Sequence, residues 1–167
     1  MPTISLTMRT AMQAERTEEI AVALVTITHP DLDEPVLLSS DPSERLSSDP
    51  LIYGTVSRGQ TYPFVLVSVV IPDERKGSPP SSQIVLENVA SDMVALIRSI
   101  STPGQVKIEV VRASEPDQIE RTFDGLDIVK ASYSAENVTL DVSRELFANE
   151  PWPSQRMTRQ RFPGLHK

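Results

Sequence analysis

Short β-branched runs punctuated by turn residues restrict this chain more than any other feature. Ile20–His29 (IAVALVTITH), Phe64–Ile71 (FVLVSVVI), Gln83–Val89 (QIVLENV), Val106–Val111 (VKIEVV) and Val138–Val142 (VTLDV) are each too short to be an ordinary buried helix. Several alternate in the period of two that gives a strand one buried and one solvated face, as with Val25 and Ile27 against Thr26 and Thr28. Clusters of Pro, Gly, Asp and Ser separate them, and the 167 residues include 14 prolines. Turn signals recur at roughly the spacing of an antiparallel sandwich or barrel and no βαβ alternation is seen, so neighbouring strands are expected to reverse direction.

Read in order, the chain opens with helix formers over Thr7–Glu19, with Thr7 as N-cap and Met8, Ala11, Met12 and Ala14 grouped on one side. The strand Ile20–His29 ends at Pro30-Asp31, and Glu34–Ser40 is its expected hairpin partner. Ser39–Pro50 (SSDPSERLSSDP) reads as a loop, and Tyr53–Tyr62, with Gly54 and Gly59, as a polar connection. Phe64–Ile71 is expected to be a strand buried in places on both faces, followed by an exposed charged loop over Pro72–Pro80 and the strand Gln83–Val89. Ser91–Ile100 spaces Met93, Leu96, Ile97 and Ile100 for one helical face, with Ser91 as cap, Asp92 in the first turn and Thr102-Pro103-Gly104 as the stop. Val106–Val111 places Val106, Ile108 and Val110 on one face and Lys107 and Glu109 on the other. Ser114–Gln118 is expected as a turn, Phe123–Tyr133 as a strand around a Gly125 turn or bulge, and Val138–Val142 as the last strand, joined through Ala135-Glu136-Asn137.

The expected fold is mainly β (α+β): an antiparallel sandwich or barrel of about eight strands, with an N-terminal helix, a helix inserted between strands and an extended C-terminal tail. Residues 1–150 form the domain and 151–167 the arm.

Few functions survive the composition. With no cysteine there is no disulfide, thiolate metal site or thiol nucleophile. A net charge of −7 disfavours general nucleic-acid binding. No run nears the ~20 apolar residues that span a bilayer, and the N-terminus lacks a signal-peptide h-region, so a soluble domain made in the cytoplasm with no stable membrane association is expected. Metal chemistry would have to use His29, Asp31 and Asp33 in HPDLDE or the penultimate His166, but that spacing matches no metal loop, and a polar hairpin loop whose Asp side chains cap backbone N–H groups explains it better. Asp124 and Asp127 flank Gly125 as a turn would, with no sign of the cleft a carboxylate pair needs. No serine elbow, phosphate loop or zinc-protease motif occurs. The expectation is no catalysis, no cofactor and no metal.

The tail Asn149–Lys167 (NEPWPSQRMTRQRFPGLHK) is of a different character. From Pro151 onward it carries four bases and no acid, leaving twelve bases against all twenty-three acids in the body, a formal −11. Trp152, Met157, Phe162 and Leu165 are large apolar anchors, and Arg156, Arg159 and Arg161 would face the acidic body of the same or a neighbouring copy. Trp and Arg are the types that most often dominate interface energies. Trp152, Arg156, Arg159, Arg161, Phe162 and Leu165 are therefore the candidate interface residues.

The order ITHPDLDEPV, YGT…RGQTYPF, VVIPDERKGSPPSSQIVLENV, ALIRSI and NEPWPSQRMTRQRFPGL resembles, over nearly the whole chain, the phage family called domain of unknown function 1833. The resemblance implies a gene among the tail genes of long-tailed phages and a likeness to tail-tip proteins that bridge tube and hub. It brings no catalytic residues. The cysteine-held iron–sulfur cluster of some related tip proteins is not implied in a chain without cysteine. The function implied is a structural virion protein of the tail tip or baseplate, forming a ring of itself (trimer or hexamer) against tail-tube, tail-tip and hub proteins, with DNA only as passing cargo. Ser39–Pro50 and Pro72–Pro80 would be secondary contacts with adjacent rings. The alternatives are a carbohydrate-binding β-sandwich for host attachment, for which only Tyr53, Tyr62, Tyr133 and Trp152 could form sugar platforms, a hydrolase using Asp or His, and an assembly chaperone absent from the virion.

Overall fold

A computed structural model of the chain describes residues 4–71, 81–87, 103–134, 137–143, 158–162 and 164. The elements run α1 (Leu6–Gln13), β1 (Ala21–Thr28), β2 (Val36–Ser39), β3 (Glu44–Ser48), β4 (Leu51–Ser57), β5 (Gln60–Pro63), β6 (Leu66–Val69), β7 (Ser81–Glu87), β8 (Gln105–Arg112), β9 (Glu115–Tyr133) and β10 (Asn137–Ser143). Strands order as β2-β1-β8-β9-β10-β7-β6 in a seven-stranded sheet and β3-β4-β5 in a three-stranded one, and neighbouring strands pair antiparallel throughout.

Alternation along the strands sorts the apolar residues into two cores. Val25 and Ile27 of β1, Leu38 of β2, Ile84 and Leu86 of β7, Val106 and Ile108 of β8, Phe123 and Leu126 of β9, and Val138, Leu140 and Val142 of β10 share one buried cluster. A single cluster fed from nearly the full width of the sheet requires the sheet to curl around it. The curl brings its margins together at one point, where Ser39 bridges Phe64 in parallel and the Val65 amide donates to the Ser39 carbonyl at 3.0 Å. One bridge does not close a barrel, so the fold is a two-sheet sandwich. The second core lies on the other face of β1: Val22 and Leu24 pack with Val111 and Tyr62, the latter brought by β5 of the small sheet. Val22–Val25 is thus covered on both sides, at about 1.5–3 kcal/mol for each fully buried aliphatic side chain.

Several expectations need correction. Helix α1 is capped by Ser5, whose Oγ accepts from the Met8 amide at 3.1 Å, and not by Thr7; it stops at Gln13 because Ala14 turns extended. The expected loop Ser39–Pro50 contains β3, joined to β4 through a cis Asp49–Pro50 peptide. The polar connection Tyr53–Tyr62 is the β4–β5 hairpin, turned on Arg58-Gly59 with both residues at positive φ (52° and 75°). That is the left-handed pair whose twist suits a two-residue hairpin. β6 is an outer strand with Leu66 and Ser68 exposed, rather than one buried on both faces. Ser114–Gln118 is mostly strand: β9 begins at Glu115. It carries a bulge where Asp124 and Gly125 (φ 65°) together oppose Lys107, between the pairs Val106↔Leu126 and Ile108↔Phe123. Glu109, expected on the outer face of its strand, is buried. The helix expected over Ser91–Ile100 and the loop Pro72–Pro80 lie outside the described residues.

Candidate assembly surface and its buried anchors

Three of the six candidate interface residues, Trp152, Arg156 and Leu165, lie outside the described residues. Arg159, Arg161 and Phe162 fall on a turn in which the Arg161 and Phe162 amides donate to the Thr158 carbonyl at 3.0 and 2.9 Å. All three side chains are exposed. The turn displays two guanidinium groups and an aromatic ring to solvent within four residues.

The sandwich has an exposed apolar margin that the sequence patterning did not single out. Leu51, Ile52 and Tyr53 at the start of β4, and Leu66, Val70 and Ile71 along and just beyond β6, are all exposed. The Phe64 amide donates to the Tyr53 carbonyl at 2.7 Å, which ties the foot of the small sheet to the chain entering β6 and puts the two sets at neighbouring places in the fold. β6 is also the outermost strand of its sheet. An outer strand with outward Leu and Val lacks the charges or prolines that usually discourage edge-to-edge contact.

Buried charge pins the second sheet to the first. Arg58, at the tip of β4–β5, gives Nη1 and Nη2 to Glu109 Oε1 and Oε2 at 3.2 and 2.7 Å, and Lys107 Nζ lies 2.8 Å from the same carboxylate. The Glu109 side chain is only 3% exposed. Burial by itself raises its pKa, but the hydrogen bonds from Arg58 and Lys107 outweigh this and hold it below the ordinary glutamate range. The Arg58 pKa is raised by the same bond. The tip is fixed further by Ser57 Oγ donating to the Pro116 carbonyl at 2.8 Å and by the Arg58 amide donating to Asp117.

A second polar centre surrounds Arg112, whose side chain is 7% exposed. Its Nε donates to Glu120 Oε1 at 2.9 Å, its Nη1 to Ser114 Oγ at 3.3 Å, and its Nη2 to Gln118 Oε1 at 3.1 Å and to Glu115. Glu120, 2% exposed, also accepts from the Ser5 amide (2.7 Å) and hydroxyl (2.6 Å). Burial pushes the Glu120 pKa up, and the bonds from Ser5 and Arg112 bring it below the ordinary value. Glu19 is lowered by hydrogen bonds from Ser114 and by the Arg112 charge.

Of the histidine and aspartate residues weighed in the sequence, His29 and Asp31 are near neighbours, with Nδ1 3.6 Å from Asp31 Oδ2. His29 Nδ1 accepts from the Asp31 amide at 3.0 Å, so the imidazole caps its own loop, with its carbonyl receiving the Leu32 amide at 3.1 Å. It borders an open recess of ≈360 Å3 with Thr28, Pro30, Pro103, Gln105 and Asp127. Asp124 accepts from the Gly125 amide at the bulge, at 2.7 Å. Among the described residues no three His, Asp or Glu side chains are grouped to hold a metal, and no helix is long and apolar enough to cross a membrane.

Fold and surface together define an antiparallel β-sandwich whose second sheet and N-terminal segment are fastened by buried ion pairs. The chain belongs to the family described as domain of unknown function (DUF1833), whose model matches residues 7–157. No curated protein matches it.

Proposed function

We propose that this protein is a structural component of a phage virion, a tail-tip or baseplate protein that forms a ring of itself and joins tail tube to hub by assembly, without catalysis. The observation that carries the reading is the exposed apolar margin formed by Leu51, Ile52, Tyr53, Leu66, Val70 and Ile71. Large apolar side chains left in solvent on β4 and on and beyond β6 are of the kind that another protein covers. The exposed turn with Arg159, Arg161 and Phe162 adds a second contact of the type found at interface hot spots. A closed ring would use both at once, since a head-to-tail contact needs two different patches on each copy. The −11 body would suit a channel through which DNA slides without adhering, because like charge disfavours phosphate contacts.

The sugar-binding reading loses one of its platforms, since Tyr62 is buried in the second core. The deciding experiment is mass spectrometry of purified virions, with the oligomeric state of the isolated protein measured by light scattering. Stoichiometric presence in particles and a ring-sized oligomer are expected. Absence from the particle would overturn the structural role in favour of an assembly chaperone.

A further inference from the structure

We infer that residues 5–19 form a latch, locked to the sandwich by the polar cluster around Arg112, that leaves and rejoins the body as one unit. Helix α1 has eight residues, a length that is marginal in water without packing. Yet Met8 is its one buried residue, while Leu6 and Met12 are 77% and 69% exposed. Apolar packing holds it through Met8 alone, and Ser5 supplies the polar fastening: its hydroxyl accepts from the Met8 amide to cap the helix and donates to Glu120, and its amide donates to the same carboxylate. Docking and capping thus rest on one residue.

The far end of the segment reaches the same guanidinium. Glu19 accepts from the Ser114 hydroxyl at 2.8 Å and the Ser114 amide at 3.3 Å, and lies 3.7 Å from Arg112 Nη1. Arg112 in turn holds Glu120 and Ser114, so both ends of the latch are fastened to one side chain. Between the ends, residues 14–18 are non-helical and exposed, and an open recess of ≈560 Å3 separates them from α1, lined by Leu6, Thr7, Thr10, Ala11, Ala14, Thr17 and Glu19. The segment is bonded to the sandwich by polar contacts at its two ends, with Met8 buried between them. Among the described residues neither core cluster contains one before Val22, so release leaves both clusters intact. Once free, fifteen residues extend to about 50 Å, enough to reach an adjoining molecule.

Hydrogen exchange on the full-length protein tests the latch. In Ser5→Ala and Glu120→Gln the amides of α1 are expected to exchange at least about tenfold faster. The Ser114 amide, at the opposite fastening, should lose protection with them, while β1, β8 and β10 keep theirs. Glu19→Gln should reciprocally deprotect α1. Ser5 and Glu19 sit outside both cores, so their variants report even where Glu120→Gln fails to fold. Unchanged α1 protection overturns the latch. Loss at one end alone shows two independent contacts, and loss spreading through β8 and β9 shows that the cluster belongs to the body. Either result also refutes it.

Discussion

Arg58 adopts φ 52°, which costs an L residue about 1–2 kcal/mol, at a hairpin position where Asn or Gly is usual. The residue is retained there by what its side chain does: it meets a carboxylate that is almost fully buried. Arg58→Ala keeps the backbone penalty and removes the partner, and is expected to destabilise the protein by about 2 kcal/mol, discounted because the arginine is partly exposed and Lys107 still faces Glu109. Arg58→Gly relieves the backbone, and should cost about 1 kcal/mol less than the alanine variant. Denaturant midpoints measured side by side check the order; a glycine variant no more stable than the alanine one would refute it. Gly54 is constrained differently. A Cβ there would lie 2.1 Å from the Tyr62 carbonyl oxygen and 2.6 Å from Leu46 Cδ1, so Gly54→Ala must push β4 from β5. It should cost about 3 kcal/mol, the upper range of overpacking. At Gly125 the same substitution meets open space and only a φ of +65°, and about 1 kcal/mol is expected. Thermal melts that rank Gly125→Ala as the worse variant would contradict the close approach. Of these roles the Gly125 bulge was legible in the sequence, and those of Arg58 and Gly54 were not. The only hint at Glu109 is the adjacent Val110-Val111, since two consecutive apolar residues in a strand mean that both faces are covered.

At the scale of elements, the acid response follows from where the carboxylates sit. Glu109 ties the small sheet to the large one and Glu120 ties α1 to β8 and β9, and both have depressed pKa values, as does Glu19. A depressed carboxylate stabilises the fold while ionised, so the contribution is complete above the ordinary glutamate pKa of about 4.3 and is lost as pH falls through the lower folded values. The melting temperature should hold nearly level from about pH 7 to about pH 5 and decline below about pH 4. Glu109→Gln should lower the melting temperature at neutral pH and make the acid decline shallower; an equally steep decline would assign the acid sensitivity to other groups. The same contrast explains which elements were readable. The β1–β2 hairpin, β7, β8 and β10 announce themselves because they feed the main core and need apolar residues at alternate positions. The small sheet hides, because it lays one short face on the second core and fills the rest with ERLSS and QTYP, and its stability comes from ion pairs that leave no periodicity. β9 was cut short for a related reason: of its first residues, Glu115 and Gln118 serve the Arg112 cluster and Pro116 and Asp117 the Arg58 tip, instead of a core.

For the molecule as a whole, charge divides the chain, and the described core lies wholly on the acidic side of that division. Every buried hydrophobic residue among those described lies between Met8 and Val142, and every acid lies before Pro151. The sequence already separated body from tail by charge, but the exposed margin of β4 and β6 was invisible in it, because exposure is decided by which strand ends up outermost. If the tail ties one copy to the next, the two properties can be separated experimentally. Neither core includes any of the described residues of 151–167, so on the intersubunit reading the truncated protein should keep a cooperative melt within about 2–4 °C of the full chain, the equivalent of about 1 kcal/mol or less for a domain of this size. Its light-scattering mass should fall to that of the free subunit. Replacing Arg156, Arg159 and Arg161 together with Gln should weaken association less than the truncation does, and most visibly at low salt, because those charges act through orientation and encounter while Trp152, Phe162 and Leu165 supply buried area. A truncated protein that assembles normally would end the case for the arm. One that melts far earlier as a subunit would show instead that the tail docks on its own body, leaving the apolar margin as the surface through which copies meet.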